Sequence, residues 1–345
     1  MTTKTRYFVI VSLLVMGVGL GTGLVAYYVG LPMGAFQRNG GPDELQYIPR
    51  DATVIAFANV QEVMNSELRQ KLRRAVPMQE NGQREFENET GINIETDIDR
   101  VVASLNPDPD STNIPGAGMV LARGRFNEVK IEALMRDHGA HVEDYKTKRL
   151  IVADLPEANP VAASGVSLAF IEPGLVAVGS TKLIRRAIDL HQSGDNPQAG
   201  LQSVTGNEEL MNLVRSLDSS GNAWAVGRFD ALTSRAHLPQ NVAGQLPAIT
   251  WFSVSGRING GIHGMIRAEA RDDEAANNLR DVVRGFLALA KMQAGSRPEL
   301  QLMMQSLELG GAGKTVALSF VVPAEVFDMI PGAQKRMPAP NPPPH

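Results

Sequence analysis

The chain contains no cysteine. Disulfides, thiolate-held zinc, iron–sulfur clusters, cysteine nucleophiles and a lipid on an N-terminal cysteine are therefore excluded. Aromatic residues make up only 5% of the sequence, too few for the broad stacking platforms that hold single-stranded nucleic acid or sugars. There is no basic excess: the formal net charge is −4 and the pI is near 5.9. A phosphate-backbone ligand needs a concentrated cationic footprint, so no nucleic-acid partner is expected. A G-x-S-x-G nucleophile turn is also missing.

What is present begins with a long run free of charge. Residues 7–29 read YFVIVSLLVMGVGLGTGLVAYYV, with Ser12 and Thr22 the only hydroxyls besides the terminal tyrosines. As a helix this stretch rises roughly 35 Å, enough to cross a hydrocarbon core of about 30 Å with some tilt. Tyr7 and Phe8 at one end, and Tyr27 and Tyr28 at the other, suit the two membrane interfaces. Lys4 and Arg6 precede the run, whereas Arg38 is followed by Asp43 and Glu44. The positive-inside rule then places residues 1–6 in the cytoplasm and the rest of the chain in the periplasm or outside the cell, a single-pass arrangement in the cell membrane. A cleaved signal peptide is the rival reading. Its apolar core is shorter, about 7–15 residues, and Leu24-Val25-Ala26 has leucine where a small residue is wanted. Retention is expected, and either outcome exports the body. Gly17 with Gly21, and Gly19 with Gly23, form four-residue pairs that let two membrane helices approach closely, which suggests a homodimer through that face. Glycine is also simply common in membrane spans.

Residues 30–46 read as a linker punctuated by glycine and proline, and 331–345 (PGAQKRMPAPNPPPH) as an extended, disordered Pro-rich tail. The 43% hydrophobic, 20% charged composition is that of a globular protein, and about 280 residues remain to build it. Strands alternate with helices along this body, which predicts an α+β fold with antiparallel sheets. Asp51–Asn59 is a strand and Val60–Ala75 a helix. Thr96 is expected to cap a helix carrying Ile98, Val101, Val102 and Leu105 as its buried stripe. Gly118–Phe126 is a strand, Asn127 caps a helix ending at His138-Gly139, and Ser180 caps another over Thr181–Gln192. Ile249–Arg257 and Gly261–Arg271 form a hairpin about Asn259-Gly260, and Asp272–Gln293 is the longest helix. A last hairpin is expected from Leu300–Leu309 and Lys314–Val322, with a closing helix at Pro323–Ile330.

The segments LARGRFNEVKIEALM (121–135) and AWAVGRFDALTSRA (223–236) share a strand, Gly-Arg-Phe, an Asn or Asp, and a helix. Duplication of one α+β unit would leave this trace, giving a first domain at 47–193 and a second at 207–330; convergence on a good strand-to-cap junction would leave it too. Together with YIPRDATVIAFANV (47–60) and FENETGINIETDIDRVV (86–102), the paired units resemble a group of single-span, exported bacterial proteins that carry a domain of unknown function. The resemblance spans roughly residues 47–330. It implies architecture and location only, and transfers no catalytic residue.

Candidate chemistry is sparse. LGGAGKT (309–315) invites a phosphate-loop reading, but Glu308 stands where the first glycine is required. The following VALSFVV is a strand rather than a helix, so a hairpin turn is expected. His138 and His141 lie near Asp137, Glu143 and Asp144, yet Gly139 separates the two histidines, and no metal site is expected. The carboxylate pairs Asp97/Asp99, Glu208/Glu209 and Asp272/Asp273 sit at helix starts, where they complement the dipole. No catalytic residue or cofactor is assigned. The expectation is a membrane-anchored, extracytoplasmic binding or structural module of the bacterial envelope, held by its own bilayer span and meeting an unknown envelope protein. The alternative is an exported hydrolase whose site is assembled from distant loops.

Overall fold

In a computed structural model, which describes residues 41–75, 87–106, 118–153, 165–218, 221–233, 248–294 and 298–324, twelve strands join in one antiparallel sheet. They are β1 Val54–Ala58, β2 Ile98–Leu105, β3 Gly118–Gly124, β4 Ala140–Tyr145, β5 Lys148–Ala153, β6 Val166–Glu172, β7 Leu175–Ser180, β8 Ala223–Arg228, β9 Ile249–Ile258, β10 Gly261–Ala270, β11 Glu308–Gly310 and β12 Thr315–Pro323. Their order across the sheet is β11-β12-β10-β9-β8-β1-β2-β3-β7-β6-β5-β4. The helices are α1 Val60–Asn65, α2 Glu67–Ala75, α3 Ile94–Asp97, α4 Glu128–Asp137, α5 Thr181–Ser193, α6 Glu208–Arg215, α7 Phe229–Thr233, α8 Asp273–Ala294 and α9 Pro298–Gln305. The expected α+β class with antiparallel sheet is observed.

The central strands are buried on both faces, so alternate residues feed two cores. Ile55, Phe57, Val102, Leu121, Ala177 and Val226 point to one, with Ile184 and Ile188 of α5 and Leu210 of α6. Ala56, Val101, Ala103, Val120, Val176 and Ala225 point to the other, with Val60 of α1 and Ile131 and Met135 of α4. Phe57 and Trp224, paired across β1 and β8, stack with centroids 5.8 Å apart. A third, smaller cluster joins Ala270 of β10 and Val316 of β12 to Ala275, Ala276 and Leu279 of α8.

Three expectations are corrected. The segment expected as a helix with Ile98, Val101, Val102 and Leu105 as its stripe is β2. A strand buried on both faces loses its polar alternation and can match a helical stripe by chance. Asn93, not Thr96, provides the cap, accepting from the Glu95 and Thr96 amides, and that helix stops after Asp97. Leu300–Leu309 is mostly α9, which starts at Pro298; only Glu308–Gly310 pairs with β12. The single helix foreseen over Val60–Ala75 breaks at Ser66, whose hydroxyl donates to Val63 and accepts from the Arg69 amide. By contrast Asn127 caps α4 through the Lys130 amide, as expected. Ser180 stands at the N-cap of α5 but makes no side-chain cap bond.

The Gly-Arg-Phe repeat has a concrete geometric basis. The Arg125 amide donates to the carbonyl of Asp97, just before β2, at 2.7 Å. The Arg228 amide donates to the carbonyl of Thr53, just before β1, at 2.9 Å. In both places the preceding glycine lies flat against the neighbouring backbone. A Cβ on Gly124 would overlap the Asp97 carbonyl oxygen, and one on Gly227 would lie 2.6 Å from that of Thr53. Beyond these junctions the halves diverge. From β3 the chain runs into a meander ordered β3-β7-β6-β5-β4, whereas β8 pairs directly with β9 and then β10.

The span at 7–29, the glycines Gly17, Gly19, Gly21 and Gly23, the proline-rich tail and the helix expected at Pro323–Ile330 (save its first two residues) lie outside the described residues. Among the described residues no helix is long and apolar enough to cross a membrane.

Candidate functional site

Packing of the body begins inside the segment read as linker. Asp43–Tyr47 forms a 3-10 turn, and Leu45 and Ile48 are sealed in the core. Glu44 on this turn is only 1% exposed, and its Oε1 accepts from Arg100 of β2 at 3.0 Å and from Arg123 of β3. Arg123 also pairs with Glu172 at the end of β6, and the Tyr47 hydroxyl donates to Glu172 at 3.3 Å. The Tyr47 ring meets His191 of α5 edge-on at 5.6 Å. A buried carboxylate is tolerated only when paired, so the two guanidiniums and the turn hold one another in place. Oε2 of Glu44 accepts no hydrogen bond.

The electrostatics follow from this arrangement. Burial pushes the Tyr47 phenol up, and the Glu172 carboxylate beside it adds to the rise. Burial also pushes Glu172 up, but the Arg123 guanidinium and the Tyr47 hydroxyl outweigh it and hold the carboxyl below its ordinary value. Burial works against the Arg123 charge, and the Glu44 and Glu172 carboxylates more than compensate, raising its pKa. A lowered carboxyl contributes stability that is complete above the ordinary value near 4.5 and is lost as pH falls through the native value. Glu172→Gln is therefore expected to cost about 1 kcal/mol near neutrality. The gap to the parent protein should narrow as the pH falls below the ordinary carboxyl value, read by thermal unfolding at neutral and at acidic pH; a gap that widens on acidification would contradict the assignment.

The histidine and acid cluster is placed but does not converge. His138 Nδ1 lies 2.7 Å from the Leu134 carbonyl, while His141 faces Glu143 at 3.2 Å. Glu143 in turn accepts from Arg185 at 2.7 Å, and these two hydrogen bonds, His141's first, hold its carboxyl low. Among the described residues no group of three or more metal-ligating side chains gathers. The LGGAGKT segment is the turn between β11 and β12, with Gly311 and Gly313 at positive φ. Of the acid pairs, Glu208/Glu209 and Asp272/Asp273 stand at the starts of α6 and α8 as expected, whereas Asp97/Asp99 is split between the end of α3 and β2. Asp97 ends α3 and accepts from the Asn93 amide, while Asp272 caps α8 through the Ala275 amide. An open hollow of about 610 Å³ is lined by Arg50, Asp51, Arg186, Gln202, Asn207 and Glu208. In its wall Arg186 binds Asp51 at 2.8 Å, and Arg50 donates to the side-chain amide of Gln202.

One surface feature was missed from the sequence. Val282, Phe286, Leu289 and Met292 of α8 are exposed, Phe286 by 68% and Met292 by 81%, as is Leu302 of α9. These α8 positions follow a helical repeat, while the sheet side of the same helix is occupied by Ala276, Leu279 and Val283. The signal was legible: VVRGFLALAKM carries more apolar residues than one buried face requires.

Comparison with known proteins adds little. No protein-family model matches the chain, and no curated protein matches it. The solved structure of TP0453 in crystal form I is similar at 8% identity with a TM-score of 0.44, the alignment covering 85% of this chain and 98% of that one.

Proposed function

We propose that the protein is a membrane-anchored, extracytoplasmic module of the bacterial envelope that binds or positions another component and performs no chemistry of its own. One observation supports this reading: from Asp43 on, fourteen residues after the charge-free run Tyr7–Val29, the chain is clasped into the body. Glu44 is buried between Arg100 and Arg123, and Leu45 and Ile48 enter the core within seven residues of Gly41. A catalytic domain on a loose tether has no use for such a joint. A module that must hold its partner at a defined place relative to the bilayer does.

Fractionation tests the reading. The full chain is expected in the membrane fraction after alkaline carbonate extraction. Its body should be cut by protease only once the outer barrier is opened. Recovery as a soluble species with a new N-terminus between residues 26 and 36, or digestion from the cytoplasmic side, would overturn it. Cross-linking in the native membrane, followed by identification of what is attached, then names the partner.

A further inference from the structure

The hollow beside the start of α6 holds charge that the body itself does not use. At about 610 Å³ it is of the size that takes a small molecule. Its walls are pinned. The Arg50 amide donates to the Gln202 carbonyl at 2.9 Å, and the Val204 amide to the Ile48 carbonyl at 2.7 Å. The Asn207 side chain donates to the Arg50 carbonyl at 3.0 Å. Behind the wall, Asn106 donates to Asp51 at 3.0 Å and accepts from the Ser104 hydroxyl at 3.1 Å. Asn106 and Ser104 are each 3% exposed. Buried polar side chains carry a desolvation cost unless they are paired, and this pair fixes the carboxylate that holds Arg186. The hollow is therefore shaped before any ligand arrives.

Of the charges on its wall, those of Arg186 and Asp51 neutralise one another. Three are left. Arg50 donates only to the neutral amide of Gln202, and among the described residues no carboxylate pairs with it. Glu208 and Glu209, in the first turn of α6, form no ion pair among the described residues either. Arg228, which acts on Glu209 at longer range, is bound to Asp230 at 2.6 Å. The helix dipole favours acids at this place, but it does not account for an uncompensated arginine on the same hollow. One positive and two negative groups that do not pair with each other are complemented by a ligand with one anionic and two cationic groups.

We infer that this hollow binds a small basic zwitterion, the chemistry of a diamino monocarboxylic acid, with the carboxylate on Arg50 and the two ammonium groups on Glu208 and Glu209. The inference rests on the reading of the body as a binding module and adds the class of molecule that it takes. It does not rest on the anchor, so a failed titration with intact membrane fractionation removes this ligand and leaves the anchored module standing.

Calorimetric titration of the full-length protein, purified in detergent, tests it with three probes. They are L-lysine, L-norleucine, which lacks the second ammonium, and cadaverine, which lacks the carboxylate. L-lysine is expected to bind, and each of the other two about tenfold more weakly or worse, the effect of losing one charge-assisted hydrogen bond. Arg50→Gln should bring L-lysine down to the level of cadaverine and leave cadaverine unchanged. The double variant Glu208→Gln/Glu209→Gln should weaken L-lysine and cadaverine alike. All three side chains are exposed, so thermal unfolding of the variants should match the parent. No binding of L-lysine at about 10 mM overturns the inference. Equal affinity for the three probes overturns it too, since the hollow then reads neither charge. So does an L-lysine affinity that the Arg50→Gln substitution leaves intact. The comparison of probes on the parent protein decides the matter even if a variant misfolds.

Discussion

Replacing either repeat glycine by alanine is expected to cost about 3 kcal/mol, the upper end of what overpacking usually does. The reason is the neighbour each would meet. At Gly227 the new methyl would lie 2.6 Å from the Thr53 carbonyl oxygen and 2.7 Å from Val54 Cα. Both are backbone atoms, one at the start of β1 and one just before it, and the sheet pairing of β1 keeps either from swinging aside. At Gly124 the overlap with the Asp97 carbonyl is closer still. Relief would require β1 or β2 to shift, which breaks the hydrogen bonds from the Arg228 and Arg125 amides. Gly285, which faces open space on α8, is the natural control. There alanine should stabilise by about 0.5–1 kcal/mol through helix propensity alone. Chemical unfolding of the three variants separates the cases. Equal midpoints for Gly227→Ala and Gly285→Ala would show that the close approach is not real.

Glu44→Ala should be comparably damaging, by about 3 kcal/mol, because removing one partner leaves charge uncompensated. For a body of this size that corresponds to a fall of roughly 6–12 °C in Tm. Arg100 and Arg123 would then face one another across the space that the carboxylate filled. The loss should shrink in high salt, which screens two guanidiniums that remain partly exposed. Arg100→Ala, at the more exposed end, should cost less. A Glu44→Ala protein that melts with the parent would mean that the turn is held by Leu45 and Ile48 alone. In that case the clasp could not carry the functional reading placed on it.

The pattern of what could be read from the sequence follows from range. Hairpins such as β9–β10 were legible because Asn259-Gly260 marks the turn locally. Capping by Asn127 and the start of α8 were legible for the same reason. The strand β2 was not, since Val101, Val102 and Ala103 are all buried and a two-sided strand hides its period. The ionic clasp was invisible because Glu44 finds its partners 56 and 79 residues away. No spacing rule connects residues that only the sheet order brings together. The repeat was visible as a motif, but whether its glycines served the same purpose could be decided only by seeing the carbonyl each one faces.

An open sheet has two rims, and each rim is a row of unpaired amides that could recruit another strand. On one side the last strand, β11, is only three residues long, too short to seed an extended ladder. On the other, β4 displays His141, Glu143 and Asp144 along AHVEDY, charges that a second copy would have to desolvate. Crowded beside other copies of itself, such a body resists zipping into fibres.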